Sequence, residues 1–142
     1  MPDVDITLKR LEDEIGWYDR KSTYNQRMFK FLKGIEAVAA AVIAFSSSLK
    51  LNPTVTAGLG AAILVLEGFQ HLNQYQNNWI TYRSTCEYLR HEKFLYLAGA
   101  GPYEVADDAH ILLAERIESR ISQEHAKWIS GREESSRKKK AI

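Results

Sequence analysis

Two apolar stretches stand close together in this chain, residues 34–49 (GIEAVAAAVIAFSSSL) and 55–66 (VTAGLGAAILVL), with the turn 50–53 (KLNP) between them. Each carries one carboxylate, Glu36 near the start of the first and Glu67 just after the second. Folding the two into an antiparallel hairpin brings these glutamates level, because both are equally far from the middle of the turn. A spanning helix needs about 20 mostly apolar residues. The stretches reach that length as residues 29–49, which takes in Lys30 and Lys33, and 54–72, which runs past Glu67 and His71. Both lysines are long enough to snorkel toward headgroups. The pattern predicts two short membrane-crossing helices with an acidic pair at one depth. The competing prediction is a buried hairpin inside a soluble helical bundle.

Outside the hairpin the periodicity is helical throughout. Leu8, Leu11, Ile15, Tyr18, Ser22, Asn25, Phe29, Leu32, Glu36 and Ala39 recur at alternating spacings of three and four, one seam along one helix face. The first helix is therefore expected to begin near Ile6 and to run unbroken into the first span, roughly 65 Å at 1.5 Å per residue. Pro53 can end the turn and Thr54 can cap the second helix. Gly58, Ala61, Val65, Gly68, Leu72, Tyr75, Trp79, Tyr82, Cys86, Leu89 and Tyr96 predict a second continuous seam, broken at 99–102 (GAGP). A third helix is expected over 104–129, with Leu113, Ile117, Ile121 and Trp128 on one face. It is too polar to span.

The predicted fold is thus all-α: a two-helix transmembrane hairpin whose long cytoplasmic extensions pack with a third helix into a bundle. Residues 1–130 form one helical membrane domain, with the cytoplasmic bundle built from 6–28 and 73–130. Residues 131–142 (GREESSRKKKAI) are expected to be a basic disordered tail, with 137–140 either solvated or touching anionic headgroups.

Charge orients the hairpin. Lys9, Arg10, Arg20, Lys21, Arg27, Lys30 and Lys33 precede it, Arg83, Arg90 and Lys93 follow it, and the turn holds only Lys50. The positive-inside rule then places both termini in the cytoplasm of a multi-pass protein of the plasma (inner) membrane. The formal net charge is +1, which is no nucleic-acid-binding composition. The mean hydropathy of −0.33 shows that most of the chain is polar. A single cysteine, Cys86, excludes an internal disulfide and reads as a small core residue. The acidic N-terminus leads to no expected secretory signal.

Candidate chemistry is sparse. Glu67, His71, Gln74 and Asn78 follow at spacings of four, three and four, a polar stripe that Gln70, Asn73 and Asn77 widen. With Glu36 these are the candidate ion-pathway residues, since intramembrane carboxylates are costly and rings of them favour cations. The alternative is that both glutamates mark the membrane border or pair with Lys33 or Lys30. Ala40 and Ala44, and Gly58, Ala61 and Ala62, are small enough to let backbones approach, within the hairpin or between copies. Two helices cannot enclose a water path, so a pore requires a homo-oligomer. The four histidines and Cys86 lack metal-ligand spacing, His91-Glu92 has no second histidine one turn on, and no phosphate loop occurs. No enzyme activity, cofactor or metal is expected. The partners expected are the bilayer, further copies of the chain and inorganic cations, not nucleic acid. Trp17, Trp79 and Trp128 lie far from the apolar stretches and are expected in the bundle core.

Three blocks also carry a family likeness: residues 11–21 (LEDEIGWYDRK), residues 79–96 (WITYRSTCEYLRHEKFLY) with Gly101-Pro-Tyr103, and residues 124–128 (EHAKW). With the central hairpin they resemble a SLATT-type domain, the two-transmembrane domain associated with SMODS and SLOG modules. They are also similar to a related family of bacterial membrane proteins known as a domain of unknown function. The likeness covers about residues 8–130. It implies a helical membrane protein, proposed to form pores as the effector of bacterial conflict systems, with no established catalytic residues. No fused nucleotide sensor is expected in this chain.

Overall fold

The structure, a computed structural model, describes residues 2–46 and 48–140, and the side chains of these except 2–5, 135, 139 and 140. The described secondary structure is helical: α1 (Pro2–Ala44), α2 (Pro53–Asn73), α3 (Tyr75–Ala98), a 3-10 turn (Gly101–Tyr103) and α4 (Ala109–Lys140). The chain divides into two compact units, one of Asp19–Arg83 and one of Met1–Tyr18 with Ser84–Ile142.

The α1 seam is inward along its whole length. Leu11, Tyr18, Ser22, Asn25, Leu32 and Glu36 are buried, and Leu8, Ile15, Phe29 and Ala39 are half-buried. Mid-helix Asn25 turns its amide back to donate to the Lys21 carbonyl at 2.8 Å, which satisfies a buried polar group locally.

The Asp19–Arg83 unit contains the hairpin. α1 ends at Ala44 rather than at Leu49, and the chain turns before Asn52 caps α2. The cap is Asn52, not Thr54: its Oδ1 accepts from the Thr54 N–H at 2.9 Å, and Pro53 takes the first helical position. Half-buried positions form two stripes, Ala39, Val42, Ile43 and Ser46 on one arm and Thr56, Leu59, Gly60, Ile63 and Leu66 on the other. The face of α2 that sequence spacing selected (Gly58, Ala61, Val65, Gly68, Leu72) is exposed instead.

Gln74 explains the difference. It is the left-handed cap of α2 (φ 49, ψ 38), and α3 begins at the next residue. One inserted non-helical residue moves the phase on by about a quarter turn, at 3.6 residues per turn. Tyr75, Trp79, Tyr82, Cys86, Leu89 and Tyr96 are buried or half-buried after it, on the predicted seam. Counting that seam back through Gln74 as continuous helix misplaces every α2 position. Asn73 and Asn78 repair the break: Asn73 Nδ2 donates to the Phe69 carbonyl at 2.9 Å, and Asn78 Nδ2 donates to the Asn73 carbonyl at 3.1 Å.

The stretch Pro53–Tyr103 is long and apolar enough to cross a membrane, and little of its apolar part is buried. A helix so apolar in a soluble core is mostly covered. Here Leu64, Val65 and Leu72 are all more than 70% exposed, and Phe31, Val38 and Phe45 more than 60%. The first arm does not pass the same measure among the described residues, because α1 stops at Ala44 and its last turns include Arg27, Lys30, Lys33 and Glu36.

The other unit has an ordinary core. Leu11, Tyr18, Cys86, Leu89, Tyr103, Leu113, Ile117 and Ile121 are buried. The expected tryptophan core is not found: Trp17 is 41% and Trp128 56% exposed, and Trp79, in the hairpin unit, is half-buried and stacks on Phe29. Leucine, isoleucine and tyrosine fill the core in their place. α4 starts at Ala109, not near 104, because Asp108 caps it: its Oδ1 accepts from the N–H groups of His110 and Ile111 at 3.0 and 3.2 Å. At its other end α4 continues as helix through Lys140, where a disordered tail was expected from Gly131. Glu133 and Glu134 each have a basic residue four positions on, Arg137 and Lys138, in the orientation that supports a helix. Residues 141 and 142 of that expected tail lie outside the described residues.

Candidate functional site

Within the hairpin unit four polar side chains meet between the two arms. Lys33 and Glu36 come from one turn of α1, and Glu67 and Gln70 from one turn of α2, each pair on one face by its spacing of three. The Lys33 ammonium donates to Glu36 Oε2 at 2.9 Å and to Glu67 Oε2 at 2.5 Å. Gln70 Nε2 donates to Glu36 Oε1. Glu36 and Gln70 are buried, while the Glu67 side chain is 59% exposed and that of Lys33 40% exposed. Gln70 Oε1 is buried and takes no hydrogen bond among the described residues.

The cluster therefore has a covered side and an open side. On the covered side an amide and an ammonium satisfy Glu36, as burial of a carboxylate demands. On the open side Glu67 keeps one oxygen toward its surroundings. The set carries two negative charges and one positive, and Lys33 is the shared counter-ion.

The remaining candidates are placed as follows. His71 stands exposed one turn beyond Glu67. Gln74 is the helix break, and Asn78 is half-buried and spends its amide on the Asn73 carbonyl. The structure brings Glu36 and Glu67 together through Lys33, and it does not continue them as a straight stripe through Gln74. Ala40, Ala44, Gly58, Ala61 and Ala62 are all exposed, off the two stripes where the hairpin arms are half-buried. Gln70, expected only to widen the stripe, is buried on the face that Ile63 and Leu66 share, a face the expected α2 seam did not include.

The second unit holds a polar network that spacing did not single out. Glu92, 1% exposed, lies three residues after Leu89 on the buried seam of α3. Arg116 meets it with two parallel bonds, Nε to Oε2 at 2.8 Å and Nη2 to Oε1 at 2.6 Å, and the Tyr103 hydroxyl donates to Oε2 at 2.5 Å. The Arg116 pair holds the Glu92 carboxyl below its ordinary range, and the bond to Glu92 raises Arg116 in turn. Burial pushes Tyr103 and Tyr88 up. The 3-10 turn at Gly101-Pro-Tyr103 is what lays Tyr103 over Glu92. The signal in the sequence was a glutamate at a seam position. Among the described residues no group of three or more histidine, cysteine, aspartate or glutamate side chains is arranged to hold a metal ion.

The sequence pattern of the DUF4231 family, described as proteins of unknown function, matches residues 13–110. The chain belongs to the DUF4231 family. The match takes in both hairpin arms, the Gln74 break and Glu92, and stops at the start of α4. No curated protein and no solved structure matches the chain significantly.

Proposed function

We propose that this DUF4231 protein is an integral membrane protein of SLATT type whose hairpin crosses the plasma membrane twice, and whose copies assemble into a cation-conducting pore. The observation that carries this is the inversion of the hairpin. Its large apolar side chains point outward, and its charged side chains gather at one level between the arms. That is the arrangement a helix pair adopts when lipid, not water, surrounds it. Basic residues flank both arms on one side, which supports a topology with both termini in the cytoplasm. The exposed small residues Ala40, Ala44, Gly58, Ala61 and Ala62 supply close contact between copies. Glu67, open on its outer side and followed by His71, faces the conducted cation. Glu36 packs.

A membrane-anchored scaffold without transport is the second reading. One observation favours it: Lys33 already engages both carboxylates inside a single chain.

Ion flux from purified protein in liposomes decides between them, and a cation-selective flux is expected. Cross-linking and native mass spectrometry in mild detergent should show a closed multimer; a monomer throughout would remove the pore. Topology is checked in a Cys86→Ala background. Lys50→Cys should react with impermeant reagent from outside intact cells, and Ser136→Cys should not.

A further inference from the structure

The described side chains in the C-terminal half of α4 are exposed. Upstream, Leu113, Ile117 and Ile121 are buried against the bundle. From His125 to Arg132 the helix is exposed, including Trp128 at 56% and Ile129 at 54%. Trp128 continues the buried face, seven residues after Ile121, and Arg132 lies one turn further on. The Arg132 guanidinium stacks over the Trp128 ring, 4.5 Å from its centre. Glu133 and Glu134 fall on the far side of the helix by their spacing from Trp128. Residues 125–140 carry six lysines and arginines against two glutamates.

We infer that this segment of α4 docks on the headgroups of anionic lipids. Its chemistry matches that surface: an exposed tryptophan with a stacked arginine suits the headgroup level, and the charge excess suits a negative leaflet. An acidic protein groove would meet the same charge. It would not account for a tryptophan and an isoleucine left in the open on a membrane protein. α4 runs antiparallel to α3, as the Glu92–Arg116 pair and the Arg120 guanidinium 5.1 Å above the Tyr88 ring show. The inference rests on the membrane reading above and adds a lipid dependence to it.

The test uses the full chain carrying Cys86→Ala and Gly131→Cys, labelled with an environment-sensitive fluorophore. A side chain at Gly131 meets nothing within 4 Å. The protein is placed in bilayers of phosphatidylcholine alone, or of phosphatidylcholine with phosphatidylglycerol. In the anionic bilayer the label should shift to the blue and lose acrylamide quenching, and high salt should reverse both. Lys127→Gln with Arg132→Gln and Lys138→Gln, the described basic positions nearest the Trp128 face, should weaken docking by about a hundredfold, since each charge near the surface contributes a similar share. A label insensitive to lipid charge in an inserted protein overturns the inference. So does a shift that depends on protein concentration in both bilayers, which points to a second copy of the chain. If the hairpin fails to insert, the chain should still float with anionic vesicles alone and be released by the triple substitution. Failure to float overturns the docking as well as the insertion.

Discussion

The ammonium of Lys33 on α1 lies 2.5 Å from the carboxylate of Glu67 on α2, an ion pair that closes the hairpin across 34 positions of the chain. The same nitrogen holds Glu36. The level acidic pair thus includes a cation of its own, and this changes what each substitution should do.

Glu67→Gln should reduce cation preference while leaving assembly intact, because Glu67 is the open carboxylate and Glu36 still holds Lys33. Lys33→Met should act in the opposite direction, raising cation preference by freeing both carboxylates. Reversal potentials in planar bilayers read both. An unchanged potential in Glu67→Gln with normal assembly would favour the scaffold.

Glu36→Leu should act on stability. It strips Gln70 Nε2 of its acceptor in a buried place, which costs about 1–3 kcal/mol. Chemical denaturation in detergent should show that loss as the main effect, ahead of any shift in ion selectivity.

Glu92→Gln should destabilise the other unit by about 2 kcal/mol, since it weakens two charge-assisted bonds from Arg116. The pH dependence has a definite sign. The carboxyl of Glu92 is held below its ordinary 4.5 in the folded chain, so its contribution is complete above that pH. It is lost as pH falls through the lower folded value. Wild-type melting temperature should drop as pH falls below 4.5, and Glu92→Gln should flatten that part of the drop.

Gln74→Gly should stabilise, by about 1 kcal/mol, because a left-handed backbone at φ 49 costs a non-glycine residue that much. Deletion of Gln74 should do far more harm than any substitution there. It would force α2 and α3 into one phase and expose either Gln70 or Tyr75. Thermal melts of the two variants should move in opposite directions.

The α1 seam was legible because nothing interrupts it: from Leu8 to Ala39 every spacing is three or four, and every seam residue is covered. Cys86 and Leu89 were legible for the same reason. α2 was not, since Gln74 is an ordinary helix residue by type and its left-handed conformation is set by the packing on both sides. The two glutamates were correctly set level by counting from the turn. That Lys33 reaches both required side-chain geometry, because Lys30 precedes the same turn with similar claims. Glu92 was overlooked among charged neighbours, although its place after Leu89 put it inside. The tryptophans were misplaced by size alone: Trp17 edges against Tyr18 at the surface, and Tyr18 takes the interior position.

The one-residue break at Gln74 lets α2 and α3 turn different phases of their surfaces inward within one stretch of chain. Residues can then be exchanged on the outward side of the hairpin with the α3 positions that meet α4 left in place. A joint of this kind separates two selective pressures along a single stretch of chain. Under the membrane reading proposed above, the outward face of α2 is free to track the composition of the surrounding bilayer, while Leu89 and Glu92 answer only to their own core.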